Sequence, residues 1–162
     1  MLKLLDDKLE IFICVILMSV MAVLLNIQVF MRYVMRRSLS WSEELARYIF
    51  IWLVYIGISY GAKIMKHIKI EAALKFFPEK ARPFVVLTGH VIFMCFSIYV
   101  SYIGWGVLQR QIRLGQISPA LRIPLWMVYA APMVGFGLTA VREAQNIVHG
   151  VKLLRRGEMY HG

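Results

Sequence analysis

Four long stretches without Asp, Glu, Lys or Arg divide the chain: residues 11–31, 48–62, 84–109 and 123–141, of 21, 15, 26 and 19 residues. Inside them apolar residues run continuously, as in Ile11-Phe12-Ile13-Cys14-Val15-Ile16-Leu17-Met18. A helix rises ~1.5 Å per residue, so a run of the first length reaches roughly 31 Å, about the thickness of a hydrocarbon core. Strands of a membrane barrel would alternate over segments of ~10 residues. In lipid a continuous apolar run satisfies its own backbone only as a helix. The pattern predicts an all-α integral membrane fold, a single domain over 1–162 with four transmembrane helices at about 10–32, 42–63, 84–109 and 123–142. The second uncharged run is short and must borrow length from its flanks.

That length is predicted at Ser40-Trp41-Ser42-Glu43, which fits a capping box with Ser40 as N-cap and Glu43 reaching back to it. Glu43 and Glu44 then complement the positive end of the helix dipole, and Glu43–Arg47 and Glu44–Arg47 are spaced as ion pairs along the helix. Between helices 2 and 3, Ile70, Ala73, Leu74 and Phe77 recur with helical spacing while Lys69 and Lys75 are placed to face water. This predicts an amphipathic interfacial segment punctuated by Pro78 and Pro83. Gly115 and Pro119 mark the loop before helix 4, Pro124 opens that helix, and Pro132 falls inside it and should kink it.

Composition agrees: 60% of residues are hydrophobic and 17% charged, against roughly half and a quarter in soluble domains. The net charge of +10 changes the picture only through its placement. Basic residues sit in short blocks beside the apolar runs, which suits lipid headgroups rather than nucleic acid. Lys and Arg number twelve in the N-terminal segment, the 63–83 loop and the 142–162 tail, against seven in 32–47 and 110–122. The positive-inside rule therefore predicts cytoplasmic termini. The first apolar run exceeds the ~7–15 residues of a signal-peptide core and no small-x-small site follows it, so no cleavable signal is expected. Cys14 and Cys95 read as small apolar residues.

The chemistry of a self-contained machine is missing. A proton-coupled exporter needs an ionisable residue deep in a helix, whereas helix 1 offers Asn26 and Gln28 and helices 2 and 4 show no central charge. Haem needs facing axial ligands, and only His90 lies in an apolar run. Vicinal cysteines and hydrolase motifs are absent, so no enzyme activity, cofactor, metal or substrate site is expected in this chain. Asn26 and Gln28 read as interhelical hydrogen-bonding groups and His90 as a neutral packing residue. Gly57-Ile58-Ser59-Tyr60-Gly61, and Ala131 with Gly135, have the small-xxx-small spacing that lets another helix approach closely. The residues alone leave an accessory subunit, a small cation exporter and a membrane-complex assembly factor open.

Trp41-Ser42-Glu43-Glu44 followed by Arg47, Phe50 and Gly57, then Gly61-Ala62 and Lys66-His67-Ile68-Lys69-Ile70, resembles the small membrane subunit of tripartite ATP-independent periplasmic (TRAP) transporters. The resemblance returns at Leu121-Arg122-Ile123-Pro124-Leu125-Trp126, Tyr129 and Pro132. It implies a scaffold in the bacterial inner membrane, beside a large elevator-type subunit that carries an organic acid such as sialic acid or a C4-dicarboxylate. Sodium coupling is expected in that large subunit, and a periplasmic substrate-binding protein is expected as a transient partner. The candidate partner-interface residues are Trp41, Glu43, Glu44, Arg47, Gly57, Gly61 and His67. The expectation is sharpest at Glu44 and Arg47, one of which would be buried against the large subunit.

Overall fold

The computed structural model describes residues 2–37, 39–64, 78 and 82–155. They form four long helices: α1 (Leu2–Tyr33), α2 (Ser40–Ile64), α3 (Arg82–Leu114) and α4 (Trp126–Arg155). In space the order is α1, α2, α4, α3, each helix packing closely on the next, and no close approach among the described residues closes the row into a bundle. Leu9–Tyr33, Ser40–Ala62 and Arg82–Leu114 are each long and apolar enough to cross a membrane. Their outer faces are apolar, with Phe12, Met18 and Phe30 of α1 and Ile92, Phe96 and Tyr99 of α3 exposed, as lipid or a partner helix requires.

The fourth helix differs from its expected form. It begins at Trp126 rather than 123 and runs to Arg155 rather than 142, so its uncharged part ends halfway along. A helix needs lipid-compatible side chains only where lipid touches it. Flanked by α2 on one side and α3 on the other, α4 turns Ala131, Gly135, Thr139 and the pair Arg142–Glu143 into protein. The other helices also outrun their apolar stretches, α1 starting near the N-terminus and α3 ending at Leu114. The amphipathic segment expected between helices 2 and 3 lies outside the described residues, apart from Pro78.

Small residues set the packing. Gly135 lies so close to α2 that a methyl group there would stand 2.6 Å from Tyr55 Cβ and 2.7 Å from its carbonyl oxygen. On the other flank, Gly104 of α3 faces Met133 and the Ser101 hydroxyl donates to the Met133 carbonyl at 3.1 Å. The Phe136 ring then fills the space between helices, edge-to-face with Tyr55 and Phe96 at 5.9 and 5.8 Å. Helix α4 is continuous through Pro132, which can donate no bond to the carbonyl one turn back.

The start of α2 does not form the expected capping box. Ser40 is already helical and the Ser42 hydroxyl donates to the Leu39 carbonyl at 2.8 Å. The Glu43 carboxylate, instead of reaching back, accepts from Gln28 of α1 at 2.8 Å. Neither carboxylate pairs with Arg47 among the described residues. A cross-helix partner has displaced the local ones, as exposed pairs worth about 0.3–0.5 kcal/mol allow.

Candidate functional site

Four of the expected residues fall on one face of α2. Glu43, Arg47, Gly57 and Gly61, together with Phe50 and Val54, recur at steps of three and four residues and so form a single stripe along the helix. The buried Ile56 and Ser59 lie on the opposite side. Phe50 is 52% and Val54 41% exposed, and a methyl group added at Gly57 or Gly61 would meet nothing within 4 Å. The intrachain close approach is made by the second small-residue pair, at Gly135, while the glycine pair of α2 stays open. At its upper end the stripe borders a groove of about 520 Å³ between α1 and α2, with Met21 and Leu25 on one wall and Ala46, Arg47 and Phe50 on the other. The Gln28–Glu43 hydrogen bond and a loose 3.8 Å contact from Arg32 to Glu43 tie the two helices there. The result is an apolar, small-residue track with the Arg47 guanidinium, unpaired among the described residues, at its end.

Glu44 is not on that face. It points to the connection between α3 and α4, where its Oε2 accepts the backbone N–H groups of Ala120 at 2.8 Å and Leu121 at 3.1 Å. The Tyr48 hydroxyl donates to its other oxygen. The connection is a small hairpin. Gly115, at φ 59°, ends α3 with its N–H directed to the Gln111 and Ile112 carbonyls, a left-handed cap that suits glycine. Ile117 then pairs with Pro124, and Ser118 and Ile123 join by a 2.9 Å backbone bond. Glu44 is thus spent within the chain, linking the two sequence blocks that carry the family resemblance. Replacing Glu44 by Ala should speed hydrogen exchange at the Ala120 and Leu121 amides by about tenfold or more, leaving α2 folded. Unchanged protection at both amides would show that the carboxylate does not hold the hairpin. Trp41 sits 43% exposed at the start of α2, off the stripe. His67 lies outside the described residues.

A second polar cluster, at the opposite ends of the helices, was not expected. Arg142 of α4 donates to Glu10 of α1 at 2.9 Å, and Ser59 of α2 donates to the same oxygen at 3.2 Å. One residue on, Glu143 meets Nδ1 of His90 in α3 at 2.6 Å, both side chains being almost fully buried. Asn146 donates to the Ala62 carbonyl at 3.0 Å. Side chains from all four helices therefore meet in one polar layer. His90 packs as expected but with an acidic partner, and Gln28 bridges helices as expected. Asn26 does not: it donates to Ala22 of its own helix, at an exposed position. The sequence signal for the layer was present in a polar His within an apolar run, which requires a buried partner. The adjacent Arg142 and Glu143 stand just past the uncharged run that ends at Val141, on a helix that continues to Arg155. No group of three or more potential metal ligands occurs among the described residues.

Comparison with known proteins fits this arrangement of packing surfaces. The family described as tripartite ATP-independent periplasmic transporters, DctQ component, matches residues 21–153. The sialic acid TRAP transporter small permease protein SiaQ of Vibrio cholerae is 29% identical over 95% of this chain and 88% of its own length. The C4-dicarboxylate TRAP transporter small permease protein DctQ of Rhodobacter capsulatus is 27% identical over 76% of this chain, and the match spans 53% of that relative. The isethionate TRAP transporter permease protein DctMQ of Oleidesulfovibrio alaskensis is 29% identical over 70% of this chain but only 18% of its own length. The match covers most of the four-helix row, and the chain belongs to the DctQ-component family, the small membrane subunits of TRAP transporters.

Proposed function

We propose that this chain is a scaffold subunit that holds a large elevator-type permease subunit through the open stripe of α2. The observation that carries the reading is that Phe50, Val54, Gly57 and Gly61 form a small-residue track with no occupant among the described residues. In lipid, helices associate through close van der Waals packing at such residues rather than through hydrophobic transfer. Arg47 and Glu43, at the end of the track, would set the register of the partner helix. A large subunit also suits the DctMQ relative, in which a segment similar to this chain occupies a small part of a longer permease.

In this reading α4 crosses the bilayer with the other three helices, its polar half shielded by α2 and α3. The row adds lipid-facing surface and aromatic and basic anchors that resist tilting while the partner's transport domain moves. The cargo would be an organic acid, consistent with the sialic acid and C4-dicarboxylate named for the relatives. Sodium coupling would belong to the large subunit, and a soluble binding protein would deliver the cargo. The membrane would be the bacterial inner membrane.

Because the stripe is open, enlarging it separates assembly from folding. Gly57→Leu with Gly61→Leu should leave this chain's expression and melting temperature near wild type while cutting co-purification of the large subunit at least about tenfold in mild detergent. Equal recovery of the partner would remove the stripe as the docking site. The basic asymmetry further predicts cytoplasmic termini. In a Cys14→Ala, Cys95→Ala background, a cysteine placed after Gly162 should resist an impermeant thiol reagent in intact cells. Labelling before lysis would reverse the orientation.

A further inference from the structure

A groove of about 640 Å³ lies on α4 past the end of its uncharged run, lined by Val141, Ala144, Gln145, Val148, His149 and Lys152. Leu138, Val141, Gln145, Val148 and Lys152 are all exposed and recur at steps of three and four residues, so they share one outward face of the helix. The same turns bury their acid on the other side, where Glu143 meets His90. Glu10, the acid that Arg142 reaches, is buried as well. No carboxylate lines the groove among the described residues. Arg142 also donates to the side-chain oxygen of Gln145 at 3.0 Å. That bond occupies the acceptor of the amide and leaves its NH2 group as a donor to the groove.

The chemistry changes in order along this face. Apolar Leu138 and Val141 come first, then an amide donor at Gln145, then the imidazole of His149 and the ammonium of Lys152. From Leu138 to Lys152 the helix rises about 21 Å. A phospholipid lying along it presents the same sequence of groups: acyl chain, ester carbonyls, phosphate. The helix dipole accounts for a cation near the C-terminus of α4, but not for the amide and imidazole that stand beside it on an acid-free face. A protein partner fits less well, since protein interfaces are depleted in lysine, whereas lysine is a standard phosphate binder.

We propose that this groove is a binding site for one anionic phospholipid. Lys152 and His149 hold the phosphate, Gln145 donates to an ester carbonyl, and an acyl chain lies over Val141 and Leu138. In the orientation proposed above, the site opens to the cytoplasmic leaflet, where basic pockets beside membrane helices take anionic headgroups. It uses neither the stripe of α2 nor the α1–α2 groove.

The test titrates the full chain in mild detergent with phosphatidylglycerol or phosphatidylcholine and counts bound lipid by native mass spectrometry. One phosphatidylglycerol should be retained in preference to phosphatidylcholine. His149→Gln/Lys152→Gln should weaken its binding at least about tenfold and leave the melting temperature unchanged, because both side chains are exposed. Gln145→Leu should weaken both lipids alike, since both carry the ester. Arg110→Gln/Arg113→Gln removes the same formal charge from exposed positions at the end of α3 and should change nothing. Unaltered phosphatidylglycerol binding in the His149/Lys152 variant overturns the proposal. An equal loss in the Arg110/Arg113 variant does so too, by making the attraction diffuse. Displacement of the lipid by millimolar glycerol 3-phosphate would show that the acyl track plays no part, and expulsion of the lipid on assembly with the large subunit would make this face a subunit contact. Either result overturns the site.

Discussion

Arg142→Ala should lower the stability of this chain by about 3–5 kcal/mol, the largest loss expected from any single truncation here. Its guanidinium cannot shed its charge, and its 2.9 Å bond to Glu10 ties the outermost helix of the row to α4 across a position where α1 and α4 do not otherwise pack closely. Truncation would strand the Glu10 carboxylate among buried groups, with the Ser59 hydroxyl as its remaining described donor. Neutral interhelical hydrogen bonds in membranes average only about 0.6 kcal/mol. The cost therefore comes from the abandoned charge rather than from the lost bond. For a chain of this size it corresponds to a fall in melting temperature of roughly 6–20 °C. Thermal unfolding in mild detergent gives the readout. Arg142→Met combined with Glu10→Gln, which removes both charges, should recover most of the loss. A single Arg142→Ala variant melting within about 2 °C of wild type would show the pair to be solvated and of little structural weight.

What the sequence made legible was the part governed by lipid. Continuous apolar runs identified the three helices whose faces are left bare, because exposure to lipid and absence of charge are the same constraint. The run stopping at Val141 misplaced the end of α4, because protein neighbours relax that constraint and the chain from Arg142 onward contains no helix breaker before Gly150. The same cause hid the layer of Glu10, Arg142, Glu143 and His90: charges beside an apolar run read as headgroup anchors until a neighbouring helix is known to cover them. At the start of α2 the error ran the other way. Local rules assigned Glu43 to the cap and Glu44 to Arg47, yet long-range partners won both, Gln28 for one and the 120–121 amides for the other. The period of α2 does place Glu43, Arg47, Gly57 and Gly61 together. Only the structure separates the open glycine pair from the Ala131–Gly135 pair already used for internal packing.

That distinction carries the second large effect. Gly135→Ala should destabilise the fold, although alanine is the better helix former by about 1 kcal/mol. The added methyl would stand 2.6 Å from Tyr55 Cβ and 2.7 and 2.9 Å from the Tyr55 carbonyl oxygen and carbon. Two of those three atoms are backbone, so no side-chain rotation relieves the clash and the α2–α4 spacing must widen. Overpacking of this kind costs about 1–3 kcal/mol, more where backbone has to move. It outweighs the propensity gain and leaves a net fall in melting temperature of several degrees. The α2–α4 contact joins one half of the row to the other, so its loosening should be felt as separation of two hairpins rather than local fraying. A disulfide between cysteines introduced on facing positions of α2 and α4 should form more slowly in the variant. Tyr55→Ala should fail to rescue it, because alanine keeps the Cβ and the carbonyl that obstruct the methyl. Gly61→Ala is the matched control: nothing lies within 4 Å of its added carbon, so the isolated chain should gain slightly from the better helix former. Should Gly135→Ala melt at or above wild type, the two helices are not in the close approach described, and the row must be held by its polar layer and aromatic contacts instead.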